Sequence, residues 1–121
     1  MYVLGFDIGG TKCAASLGKI EGDAIEILAR NEVKTLPSAE DTLTALQPFV
    51  EEYKAKTGAT QAGISCGGPL DSKTGIIVNP PNLNSGWYHF PIVQYVKEKF
   101  GLDARLQNDA NACALAEWQF G

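Results

Sequence analysis

No block of lysine or arginine occurs in this 121-residue chain, and its 10 basic side chains are outnumbered by 14 acidic ones, for a net charge of −4. Polyanions are gathered by clustered positive charge, so binding of nucleic acid or of an anionic membrane by these residues is disfavoured. Long apolar runs are also missing; a bilayer-spanning helix needs about 20 such residues in succession. Neither a basic leader nor a cleavage site is present at the start, so secretion and membrane insertion are not indicated and a cytoplasmic location is expected. Cysteine is scarce: Cys13, Cys66 and Cys113 lie far apart and form no CxxC pair. Such an odd, dispersed set gives no disulfide framework and reads as reduced thiols in cytosol. Repeats, low-complexity tracts and linkers are absent too. The length, with 45% hydrophobic residues, suits one domain with a modest core.

What is present is a regular alternation of strand-like and helix-like segments. Residues 2–8, YVLGFDI, form a nearly continuous apolar run that suits a strand covered on both faces. Gly9-Gly10 breaks it. Residues 12–20 read as a second strand of small residues, and residues 24–34 as a third after the turn Glu21-Gly22-Asp23. Short turns between the three predict an antiparallel meander. Ser38 is a plausible N-cap for a helix in which Leu43, Leu46, Phe49, Val50 and Tyr53 recur at helical spacing up to Gly58. A short strand at 61–65 follows, then the turn Cys66-Gly67-Gly68-Pro69 and a hairpin-like piece around 75–78. Residues 79–88, NPPNLNSGWY, are a loop by composition. Pro91 opens a second helix that stops at Gly101, residues 103–107 make a last strand, and a final helix is expected from Asp109. The order β-β-β-α-β-α-β-α predicts an α/β fold: a mixed sheet whose strand–helix crossovers require parallel pairing, with helices on its faces.

Three stretches carry chemistry. Asp7-Ile8-Gly9-Gly10-Thr11-Lys12 joins two strands and lacks the Walker A spacing. Glycines without Cβ atoms nevertheless let backbone N–H groups approach an anion, with Thr11 adding a hydroxyl and Lys12 a cation. Asp7 at the strand's end can hold Mg²⁺ directly or through water. A hairpin turn that merely wants glycine is the plain alternative. Gly67 and Gly68 follow a strand's C-terminal end, where ligand clefts form in α/β sheets; a tight turn is the alternative. In the 79–88 loop, Asn79, Asn82, Asn84 and Ser85 suit sugar hydroxyls, while Trp87 reads as an anchor into the core. The single histidine, His89, is given no role. Asn108 or Asp109 can cap the last helix, and Asp109 can also take a proton from a substrate hydroxyl as it attacks a phosphoryl group. The two roles are compatible.

In this order and spacing, DIGGTK, GISCGGPLD, PPNLNSGW and NDANACALAEW resemble the ROK family of bacterial sugar kinases and sugar-responsive repressors, over essentially the whole chain. The resemblance implies a ribonuclease-H-like (actin-like ATPase) domain and ATP-dependent phosphorylation of a hexose hydroxyl, with ATP and Mg²⁺ as cofactors. By it, Asp109 matches the catalytic base and Asn108 a sugar-hydroxyl ligand. Gly67 and Gly68 match the turn whose backbone lies against the sugar, although many members carry Pro-Gly there, and Asn82 falls in the loop lining the sugar pocket. Asp7, Gly9, Gly10, Thr11 and Lys12 match the loop facing the ATP phosphates and magnesium. The family continues with a second domain holding a Glu-x-Gly-His motif, a structural zinc cluster and the adenine pocket. Residues 1–121 are therefore expected to be the N-terminal lobe of a two-lobe kinase, inactive alone, whose full-length parent often forms homodimers in the family. Which hexose is bound is left open. A sugar-sensing lobe of a family repressor, or a non-catalytic sugar-binding module, are the alternatives. Such repressors carry a winged-helix segment ahead of the core, whereas here the first strand follows Met1 directly.

Overall fold

A computed structural model describes residues 1–108 of the chain, Asn108 by its backbone only. The helix expected from Asp109, and Cys113 within it, lie outside the described residues. Among the described residues the elements are β1 (Tyr2–Ile8), β2 (Lys12–Glu21), β3 (Ala24–Lys34), α1 (Ala39–Thr57), β4 (Gln61–Cys66), β5 (Leu70–Asp71), β6 (Ile76–Ile77), α2 (Ile92–Phe100) and β7 (Asp103–Asn108), with a 3₁₀ turn at Ser85–Trp87. β1, β2, β3, β4 and β7 form one mixed sheet in the order β3-β2-β1-β4-β7. The meander is antiparallel, and β1–β4 and β4–β7 pair in parallel, as the crossover argument requires.

β1 lies in the middle, and its apolar run is buried from both sides. Leu4, Phe6 and Ile8 face one way with Cys13, Ala15 and Leu17 of β2 and Ala62, Ile64 and Cys66 of β4. Onto this face α1 lays Leu43, Leu46, Val50 and Tyr53, and α2 lays Ile92, Val96 and Phe100. The Phe6 and Phe100 rings stack at 5.8 Å. The opposite face carries small residues, with Val3, Ala14, Ser16 and Ser65 all buried.

Both helices begin and end where their residues dictate. The Ser38 hydroxyl accepts the Asp41 N–H at 3.2 Å, and Gly58 closes α1 in the left-handed region at φ 69°. Gly101 does the same for α2. Pro48 sits inside α1, where its missing N–H orphans the Thr44 carbonyl; both residues are on the exposed side, so water can take that carbonyl's place. Because the Ser38 cap satisfies one of the helix's orphan donors, Ser38→Ala should cost about 1 kcal/mol of stability, read from urea unfolding.

Two details depart from the sequence-based order. The hairpin-like piece is a two-stranded unit of its own, β5 paired with β6, because the Asp71 carboxylate gathers the N–H groups of Lys73 and Thr74 into a turn. The β2–β3 ladder also carries a bulge: Gly18 faces Ile27 but Leu17 faces Ala29, so Leu28 is extra.

Candidate functional site

The sheet register puts Ile8 beside Cys13 of β2 and Cys66 of β4, and Cys66 beside Asn108 of β7. The glycine turn after β1, the Gly67-Gly68 turn after β4 and the chain leaving β7 therefore emerge from one rim of the sheet. Parallel strands make this unavoidable, since their C-terminal ends point the same way.

The turn after β1 is held tightly. Gly9 donates to the Lys12 carbonyl at 3.1 Å, and a Cβ on Gly9 would lie 2.7 Å from that oxygen. Thr35, just past β3, braces it twice: its N–H donates to the Thr11 carbonyl at 2.9 Å and its hydroxyl to the Gly9 carbonyl at 2.7 Å. Cys13 lies behind with its sulfur 3.2 Å from the Thr35 hydroxyl oxygen. Burial pushes the Cys13 thiol above its ordinary range, so it stays protonated at neutral pH.

The asparagine-rich loop folds over the same turn. A Cβ on Gly10 would sit 2.6 Å from the backbone oxygen of Asn82, so glycine is what lets the two backbones touch. Trp87 anchors the loop, as its sequence suggested: it is fully buried and its indole N–H donates to the Leu36 carbonyl at 3.0 Å. Next to it, Gly86 presses against the Pro37 carbonyl, 2.2 Å from where a Cβ would stand. His89 is exposed, and its backbone N–H donates to the Val78 carbonyl.

Asp7 does not stand alone. Arg30 of β3 reaches across β2 and donates to its carboxylate at 2.8 Å, while also approaching Ser16 at 3.5 Å and Glu32 at 3.6 Å. No cluster of three or more His, Cys, Asp or Glu side chains occurs among the described residues. That donor set does not make an all-protein metal cage. It does fit a Mg²⁺ ion held chiefly by phosphate oxygens, to which a single carboxylate adds one contact directly or through water. Lys12 faces Lys34 across the β2–β3 ladder, and neither has a carboxylate partner within salt-bridge distance among the described residues. Like charges directly opposite are unfavourable unless an anion joins them. A cavity of about 390 Å³ opens there, lined by Thr11, Lys12, Glu32, Val33 and Lys34.

Of the residues singled out from sequence, Asp7, Gly9, Gly10, Thr11, Lys12 and Asn82 thus form one contiguous group, with Gly67, Gly68 and the Asn108 backbone along the same rim. Asp109 lies outside the described residues. Arg30, Lys34 and Thr35 went unremarked in the sequence, because nothing local distinguishes them; only counting the hairpin register, bulge included, would have found them.

The chain as a whole is similar to several sugar kinases. A glucokinase from Streptomyces coelicolor is 32% identical over 118 residues, covering 98% of this chain and 36% of that protein. An N-acetylmannosamine kinase from Salmonella paratyphi A is 39% identical over 120 residues, 98% of this chain and 39% of that one. The chain thus spans somewhat over a third of the length of these relatives. A ROK family glucokinase from Streptomyces griseus, solved with glucose and AMPPNP, superposes on 100% of this chain and 37% of its own, with a TM-score of 0.79 and 35% identity. The fold is accordingly the mixed-sheet α/β domain of the ROK sugar kinases, of the actin-like ATPase type. The sequence pattern described as "ROK family" matches residues 3–121, nearly the whole chain, and the chain belongs to that family.

Proposed function

We propose that this chain is the N-terminal lobe of a two-lobe, ATP-dependent hexose kinase. The observation that carries the reading is the register row Ile8–Cys66–Asn108, which sets a glycine turn suited to phosphate beside a glycine turn and amide loop suited to a sugar. Asp109 follows directly on that row. In this reading its carboxylate takes the proton of a hexose hydroxyl as that oxygen attacks the γ-phosphoryl group of ATP. Asn108 and Asn82 hold sugar hydroxyls, and the Gly67-Gly68 backbone lies against the ring. Gly9, Gly10 and Thr11 offer N–H and hydroxyl donors to the phosphates, and Lys12 offers its charge. When bound, Mg²⁺ neutralises the phosphate oxygens; Asp7, oriented by Arg30, would hold it. A second lobe would close the cleft and exclude water.

Support comes from the relatives named above, which are kinases of glucose and of N-acetylmannosamine by name. The test is a coupled assay of the full-length protein with MgATP and a panel of hexoses and N-acetylhexosamines. Turnover of one of them is expected. A protein that phosphorylates none, yet binds DNA in a sugar-dependent way, would be a sensor instead. No helix among the described residues is long and apolar enough to cross a membrane.

The contact between the Gly10 and Asn82 backbones ties the two halves of this site together. Gly10→Ala must push them apart, since a 2.6 Å approach between carbon and carbonyl oxygen is not tolerated. We expect KM for ATP and for the sugar to rise together, lowering kcat/KM on the order of tenfold. A change in one KM alone would mean that the turn and the loop act independently.

A further inference from the structure

We propose that Thr35 is a positioning residue for the phosphoryl donor: it fixes the Gly9–Gly10 peptide so that the Gly10 N–H is presented to a phosphate chain. The inference rests on the kinase reading above and adds to it a residue from the far side of the hairpin.

The argument is one of peptide geometry. In a trans peptide the C=O and N–H are coplanar and point in opposite directions, and Gly9–Gly10 is trans, the one cis peptide among the described residues being Gly68–Pro69. The Gly9 carbonyl is captured by the Thr35 hydroxyl at 2.7 Å. That hydroxyl has a single proton, spent on Gly9, so in the 3.2 Å contact with Cys13 it can only accept; the Cys13 thiol also reaches the Gly9 carbonyl itself, at the longer distance of 3.8 Å. Thr35, closely, and Cys13, at longer range, thereby hold the carbonyl toward β3 and the core-facing side of the sheet. The Gly10 N–H must then point away from both. It has no hydrogen-bond partner among the described residues, and Gly10 is exposed. An exposed donor, flanked by Thr11 and the Lys12–Lys34 pair, is what an anion needs. In an ordinary two-residue hairpin the Lys12 N–H would hold the Gly9 carbonyl; no such bond is made among the described residues, so without the Thr35 hydroxyl this peptide is freer to turn and offer its carbonyl, which would repel phosphate. The second bond from Thr35, to the Thr11 carbonyl at 2.9 Å, is made by backbone and survives any side-chain change, so the hydroxyl's part can be isolated.

The experiment compares Thr35→Val, Thr35→Ala and Thr35→Ser in the full-length protein, by steady-state kinetics and thermal melting. Removing the hydroxyl should raise KM for ATP roughly three- to tenfold, the scale of one hydrogen bond. KM for the sugar should stay as in the wild type, and Thr35→Ser should restore KM for ATP. Using both Val and Ala guards against a variant that misfolds for lack or excess of volume. If KM for ATP is unmoved in the hydroxyl-free variants while Asp109→Asn lowers kcat by about a hundredfold or more, this inference is wrong and the kinase reading stands. Should both KM values rise equally, with a lowered melting temperature that Thr35→Ser fails to recover, Thr35 is only a structural brace and the inference is again wrong. A wild-type protein that transfers phosphate to no hexose removes the kinase reading and this inference with it.

Discussion

In the full-length protein, Asp109→Asn should lower kcat by a factor of about 10² to 10⁴, the usual worth of a positioned general base, while leaving stability almost unchanged. The pairing of effects is what makes the variant informative. Two roles compete for Asp109: an ordinary one, as the cap of the helix expected from the sequence, and a chemical one. Asparagine caps a helix as well as aspartate does, and it is nearly the same size, but it cannot accept a proton at neutral pH. A residue that only caps would therefore tolerate the change; a base would not. Binding of the sugar should be largely retained, because the lost interaction develops as the hydroxyl is deprotonated, so the deficit should fall on kcat rather than on KM. The position supports the chemical role: Asn108 ends β7 in register with Cys66, whose strand runs on into Gly67 and Gly68. Turnover within a factor of three of wild type would remove Asp109 from the mechanism.

The largest effect on stability should come from Trp87→Ala, at about 3–5 kcal/mol, the range for emptying a buried aromatic site. Trp87 has no exposed surface, and its ring meets Phe90 edge-on at 6.3 Å. Its N–H also satisfies the Leu36 carbonyl at 3.0 Å, so truncation both opens a cavity and strands a polar group. Trp87→Phe keeps most of the apolar body and loses only the hydrogen bond, and should cost less than half as much. Far-UV circular dichroism in urea reads both without depending on the fluorophore being removed. Function should suffer beyond stability. The same anchor holds residues 79–88 against the start of α1, and this loop carries Asn82 onto Gly10. Sugar affinity should then fall in Trp87→Ala even at temperatures where the protein remains folded. A loss below 1 kcal/mol would show that Trp87 is not the loop's anchor.

Much of this arrangement was legible in the residues. A nearly continuous apolar run, a run of small residues and the glycine turns between the segments marked the meander strands. Ser38, Gly58 and Gly101 marked helix ends through capping chemistry that acts within a turn or so of chain. The burial of Trp87 could be anticipated from a lone indole in an otherwise polar loop. The partners of the candidate site residues could not. Arg30 beside Asp7, Thr35 on Gly9, Lys34 opposite Lys12 and Asn82 over Gly10 are separated by 22 to 72 positions in sequence. No local preference selects such pairs.

The β2–β3 bulge shows how finely the pairing is set. Counted back from the turn at Gly22, an unbroken ladder would put Arg30 opposite Ala15, on the face packed by α1. With Leu28 as the extra residue, Arg30 instead stands opposite Ser16, on the side of Asp7, and Asn31 turns toward Tyr53. A one-residue slip exchanges the two faces of a strand, because side chains alternate with a period of two.

The sequence by itself therefore determined, among the described residues, the order of the five strands of the main sheet and of α1 and α2, where those two helices start and stop, the glycine turns and the family. Those depend on interactions between near neighbours along the chain. The tertiary structure alone decided which side chains of β3 reach the glycine turn, what orients Asp7, and that the amide loop rests on Gly10. These depend on a single inserted residue in one ladder and on backbones that meet only after the sheet has formed.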